Sequence, residues 1–203
     1  MAYATLTQVK AAMSIGTADT ADDVQITAAL GAAEALIDGY CGRSFGTAGT
    51  AATTRVYAAT DNYVLTIDDA TTITLVETDP DFDGTWTEQW ATTDWQAEPL
   101  NGRDGALSVP YYRLRAIGNY WFPDVPRAAV RVTAKWGWAA VPSAVEQATI
   151  QTAVRLFKRL DTPLGFGGGP DTGLLYVSRQ IDGDVAQLLQ PYRMGGYAFG
   201  GVA

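Results

Sequence analysis

Histidine is absent from this 203-residue chain. That removes every nucleophile–imidazole pair and every general-base scheme built on imidazole, together with histidine-based metal sites. The single cysteine, Cys41, rules out an internal disulfide and any cysteine-cluster metal site. At the end of an apolar helical pattern it reads as a small buried hydrophobe, and such sparing use suits synthesis in a reducing cytoplasm. No window approaches the roughly 18 apolar residues a membrane span requires. The opening "MAYATLTQVK" has neither the basic nor the apolar region of a secretory signal. Bases are few as well, 14 against 22 acids for a net charge of −8. Tight binding to a nucleic-acid backbone, which depends on Lys and Arg displacing counterions, is therefore disfavoured.

What is present is ordinary globular material, 47% hydrophobic and 18% charged, and enough of it to bury a core. The length suits one domain with an appendage or two small domains. The charges are segregated. Asp61 to Asp104 holds eleven acids and one base, and Gly105 to Leu160 holds eight bases and two acids. Such polarity suits head-to-tail docking; two solvated faces of a monomer explain it equally well.

Two helices are predicted at the start. Thr5 with Gln8 forms a capping box before Val9 to Met13. From Asp22 to Cys41 the residues Ile26, Leu30, Ala33, Ile37 and Tyr40 make one apolar stripe, with Gly42 as the stop. The middle is β: "TRVYAA", "NYVLTI" and "TITLVET" read as strands separated by turns at "TDN" and "DDAT", and a turn-rich stretch of short hairpins follows. In "AAVRVTAKWGW" Val130, Val132 and Ala134 face one way and Arg131, Thr133 and Lys135 the other. A helix begins at Pro142–Ser143, where Ser143 with Glu146 suggests a second capping box, and Pro163 ends it. Val145, Ile150, Ala153, Val154, Leu156, Phe157 and Leu160 cover more than one stripe of that helix. It is therefore central to its domain or shared with a neighbouring subunit. "LGFGGGPDTG" reads as a flexible connector, "DGDVAQLLQPYR" as a short helix, and "MGGYAFGGVA" as a tail needing a partner.

Candidate chemistry is thin. "DPDFDG" places Asp79, Asp81, Asp83 and Gly84 at the first positions of a calcium loop, but Trp90 stands where its bidentate Glu belongs, so a turn with solvated carboxylates is favoured. "GFGGGP" lacks the Gly-Lys-Ser/Thr ending of a phosphate loop. Asp68 with Asp69, or Glu88 with Asp94, offer paired carboxylates for a hydrolase without a cleft to hold them. Trp86, Trp90 and Trp95, among polar residues, allow a carbohydrate-binding module; aromatic residues in a core or a protein interface are favoured.

The order of elements adds to this. "ADDVQITAALGAAEALIDGYCGRSF", an insertion containing "RVY", then "VRVTAKWGWAAVPSAVEQATIQTAVRLFKRLDTP" and "DGDVAQLLQPYR" resemble the head–tail connector, or adaptor, proteins of long-tailed bacteriophages. The resemblance runs from about Thr5 to Arg193 and is strongest around "KWGWAAVPSAVEQA". It implies an α+β fold: a small helical bundle over residues 1–163 with a β-rich insertion at about 53–137, then a hinge and arm over 164–203. It further implies a ring, commonly twelve-fold, in the virion neck. That ring would sit between the portal protein and the tail, stopper or tail-terminator protein, be assembled in the host cytoplasm, and let DNA pass without specific binding. No catalysis, cofactor, metal or membrane contact is implied. Arg155, Phe157, Lys158 and Arg159 are the candidate subunit or portal contacts, and Tyr192, Arg193, Tyr197 and Phe199 the candidate arm residues. A chain cut after Gly169 is expected to keep a folded core.

Overall fold

The computed structural model describes residues 2–125, 127–159, 166–167, 175–176 and 181–194. The fold is α+β and divides into two compact units. Residues 1–45 and 141–203 form a helical unit, and residues 46–140 form a sheet unit.

In the helical unit, α1 (Leu6–Ala12) opens on the expected capping box. Gln8 N donates to Thr5 Oγ1 at 3.2 Å, and Thr5 N donates to Gln8 Oε1 at 2.7 Å. Helix α2 (Asp23–Cys41) buries Ile26, Leu30, Ala33, Ile37 and Cys41 and ends at Gly42, whose φ of +66° is the left-handed stop. Helix α3 (Ser143–Lys158) packs against α1 and α2, and α4 (Gly183–Leu189) packs on α3. One core cluster joins Ala4, Val9, Ile26, Leu30, Ala33 and Ala153. Near-total burial of Lys10 is unexpected; its Nζ donates to Asp23 Oδ1 at 2.7 Å and to the Asp19 carbonyl, which fastens the loop before α2. The second capping box does not form. Pro142 is the extended N-cap, so Ser143 already lies inside the helix, and Glu146 instead accepts from Gln8 Nε2 of α1. Residues Phe166–Gly167 and Leu175–Tyr176 pair as a short antiparallel ladder (β9 and β10). Pro163 and most of the glycine-rich connector lie outside the described residues. Among those residues no helix is long and apolar enough to cross a membrane.

Tyr3 secures the start of the chain. Its hydroxyl donates to Asp38 Oδ1 at 2.7 Å and accepts from Phe45 N at 2.8 Å, and its backbone N–H donates to Glu34 Oε1 at 2.8 Å. Burial is the main cause that lifts its phenol to about 12, and it lifts the Cys41 thiol to about 11. Unfolded phenols ionise near 10, so this stability is complete below pH ~10 and is lost as pH rises through about 12. Tyr3→Phe leaves the Phe45 N–H without its acceptor, so we expect a loss of about 1–3 kcal/mol at neutral pH. Denaturant titrations should also show a flatter decline for this variant between pH 9 and 12. An unchanged midpoint at pH 7 would show that the hydroxyl does not hold the loop.

The sheet unit contains β1 (Thr53–Tyr57), β2 (Val64–Thr78), β3 (Glu88–Trp90), β4 (Trp95–Glu98), β5 (Arg103–Asp104), β6 (Leu107–Ser108), β7 (Tyr111–Ala116) and β8 (Val130–Trp136). The main sheet is antiparallel in the order β1-β8-β2-β7-β4, with β3 on β2. Strand β8 alternates as expected, with Val130, Val132 and Ala134 fully buried. "DDAT" is not a turn. Strand β2 continues through it for 15 residues, and register shifts on either side of Ala70 mark where it passes from β7 to β8. Bulges bend a strand without ending it, so the turn-forming residues here mark a bend. Gly137, at φ +115°, is required by close approach, since a Cβ there would lie 2.5 Å from the Gly46 carbonyl. That approach lets Trp138 N donate to Gly46 O at 2.9 Å and Gly137 N to Asp69 O at 2.7 Å.

Candidate interaction surfaces

The carboxylates considered for chemistry hold structure instead. Asp79 is buried, not solvated, and accepts from Gly84 N at 2.9 Å and Asp83 N at 3.3 Å, closing the "DPDFDG" turn. Asp83 accepts from the Thr85 hydroxyl and from Thr85 N at 2.7 Å, and these hydrogen bonds, the hydroxyl's foremost, hold its carboxyl below the usual range. Asp68 accepts from Arg55 Nη1 at 2.6 Å and Tyr57 Oη at 2.9 Å, while Asp69 accepts from Trp138 Nε1 at 3.0 Å. Among the described residues no group of His, Cys, Asp and Glu could hold a metal ion.

The segregated charges meet across the sheet. Arg131 on β8 grips Glu77 on β2 through two bonds of 2.7 Å. On β7, Arg115 and Arg113 flank Glu98 of β4 at 2.7 and 3.5 Å. Solvent screens pairs at such exposure, so each contributes little to stability. Their arrangement nonetheless brings the acidic and basic blocks of the sequence together across paired strands.

Helix α3 lacks the bare apolar surface its sequence suggests. Val145 and Ala153 are buried, while Ile150, Val154, Leu156 and Phe157 pack in part against the helical core; Leu160 lies outside the described residues. The α1, α2 and α4 helices cover three sides of it, which satisfies the extra stripe inside one copy. Arg155 pairs with Asp182 at 2.6 Å, its side chain only 15% exposed, so it faces its own chain. Lys158 is exposed, and Arg159 forms the half-buried C-cap of the helix. Of the arm residues, Tyr192 is buried with its ring 6.0 Å from Phe45, Arg193 lies 4.7 Å above the Tyr40 ring, and Met194 N donates to Cys41 O. These contacts tie both candidates to the helical unit; Tyr197 and Phe199 lie outside the described residues.

The exposed tryptophans expected for a sugar-stacking face are not the ones named. Trp90 is 3% exposed and stacks on Phe122 at 4.7 Å. Trp95 packs against the same core, and Trp86 lies half-buried with the Arg131 guanidinium 5.0 Å from its ring. Trp121, in the segment after β7, is 62% exposed.

The surface that sequence reasoning missed lies on α2, opposite its buried stripe. Val24 is 79% exposed and Leu36 43%, and between them Ala28, Gly31, Ala32 and Ala35 are all exposed, with Gly39 beyond. This face carries no charge; Glu34, the one charged residue between Asp23 and Asp38, is turned to the Tyr3 N–H. A Cβ added at Gly31 or Gly39 would meet nothing within 4 Å. Glycine in a helix interior costs about 1 kcal/mol relative to alanine, and no contact among the described residues requires it here. The signal was legible as sixteen helical residues with three charges, all acidic and none on the outer positions.

No family model and no curated protein matches the chain. Solved structures do. A chain from the neck of an empty gene transfer agent particle, computed with C6 symmetry, aligns with TM-score 0.55 at 19% identity over 93% of this chain and 88% of that one. A chain from the neck of the native particle, computed with C12 symmetry, aligns with TM-score 0.50 at 18% identity over 93% of this chain and 90% of that one. The shared property is the fold: this chain has the fold of chains found in those necks.

Proposed function

We propose that this chain is a structural, non-enzymatic subunit of the neck of a phage-like virion. In this reading it is a head–tail adaptor that assembles as a ring between the portal protein and the tail or stopper protein. The observation that carries the reading is the whole-chain likeness to neck chains, which spans both the helices and the sheet. The symmetry of those particles supports a ring, and the uncharged face of α2 offers a lateral contact for the next copy. With a net charge of −8, such a ring would let DNA slide through its channel rather than bind it. Lys158 and the residues after Met194, Tyr197 and Phe199 among them, are the proposed reach toward the portal.

Electron microscopy of particles carrying the chain fused to a compact tag at its C-terminus tests this directly. Extra density in a ring at the neck is expected. Tag density on the capsid shell, on the tail tube, or absent from purified particles would overturn the assignment.

A further inference from the structure

The sheet unit carries a groove and, apart from it, a short hairpin. The groove, of about 690 Å³, is lined by Trp121, Phe82, Tyr120 and Asn62, together with Asp124 and with Glu88, which also accepts from Thr78 Oγ1 at 2.7 Å. Of its lining, Tyr120 packs on the buried Trp90 ring at 5.0 Å, the ring that also stacks on Phe122 at 4.7 Å. One cation lies nearby, Arg127, whose guanidinium is bonded to the Phe82 carbonyl. The hairpin runs from the turn Leu100–Gly102 through β5 and β6. It presents Leu100, 56% exposed, beside the exposed Arg103. Asn101 and Gly102, at φ +60° and +61°, turn the backbone there.

We infer that the hairpin of one copy docks in the groove of the next, Leu100 against the aromatic wall and Arg103 against Asp124 and Glu88. The inference rests on the reading that copies of this chain associate. Strand β7 places the two features: Glu98 pairs with Arg113 at the hairpin end and Trp95 with Ala116 at the groove end. Six residues at about 3.4 Å each set the features roughly 20 Å apart along one strand. Different surfaces at opposite ends of a unit join copies head to tail, the kind of contact that closes rings. An aliphatic side chain with an adjoining guanidinium meets both requirements of an anionic, aromatic groove.

Two experiments on the full chain test this. Arg103→Cys and Asp124→Cys proteins, mixed under mild oxidation, should form a mixed disulfide well above the self-linked product of either alone. Cys41 is 1% exposed and stays silent. In sedimentation, Arg103→Asp and Asp124→Arg should each weaken self-association about tenfold, and the double exchange in one chain should restore it. Absence of the mixed disulfide, or a double exchange no stronger than its parents, overturns the inference. So would a shift of Trp121 emission with oligosaccharides that hairpin variants leave untouched, which would assign the groove to sugars. Neck density without the disulfide removes this contact alone; the disulfide without neck density removes the adaptor reading alone.

Discussion

Replacing Gly31 and Ala35 with arginine is expected to give a folded subunit that no longer enters particles. Both positions lie on the open face of α2, and the space beyond Gly31 is empty. Arginine is a good helix former, so a thermal melt should fall within about 0.5 kcal/mol of the parent, or above it. If copies associate through this face as proposed, two buried cations without partners would cost that interface several kcal/mol, enough to abolish incorporation. The informative control is Gly31→Ala, which should raise the stability of the isolated subunit by up to about 1 kcal/mol while lowering incorporation, because a methyl group holds the next backbone away. Stability and assembly moving in opposite directions is the signature of a glycine kept for a partner. Normal incorporation of the double arginine variant would show that the bare face of α2 is merely tolerated.

A second large effect is expected from the position of a stop codon. The sequence suggests that a chain cut after Gly169 keeps its core. The structure points the other way: α4 and the turn after it bury Val185, Leu189 and Tyr192 in the helical unit, and Asp182 holds Arg155. Each large side chain lost from a core costs about 2–5 kcal/mol, and a domain's whole stability is about 5–15 kcal/mol. The cut after Gly169 should therefore leave the helical unit largely unfolded, whereas the full chain should melt cooperatively. Circular dichroism melts of the two proteins decide the matter. Equal melting temperatures would mean that α4 contributes nothing to the unit it packs against.

These outcomes show where the sequence was readable. Helix α2 and strand β8 announced themselves because their periods repeat over many residues, and the Thr5–Gln8 box because its geometry is local. The same local motif failed at Ser143, where Pro142 took the capping position one residue earlier. "DDAT" was misread because a bend inside a long strand uses the same residues as a turn between two short ones. For the tryptophans the favoured core reading holds at Trp90 and Trp95. Trp90 stands among polar neighbours and Trp121 between Tyr120 and Phe122, and only the fold of β2 and β3 decides which ring is stacked on Phe122 and which meets solvent. The acidic and basic blocks looked like opposite faces because sequence distance hides strand pairing. The outer face of α2 was visible all along as missing charge, but attention to the apolar stripe concealed it.

The chain leaves the helical unit after Phe45 and returns to it only at Val141. On the ribosome, α1 and α2 therefore emerge without Ala153 and Val145, and the whole sheet is synthesised before α3 arrives to complete their core. A nascent subunit waits, half furnished, through ninety-five residues of translation, and α4 comes later still. The order of synthesis thus acts as a timer: the helices that close the bundle follow the whole sheet, so the helical unit can be completed only after the sheet has been made.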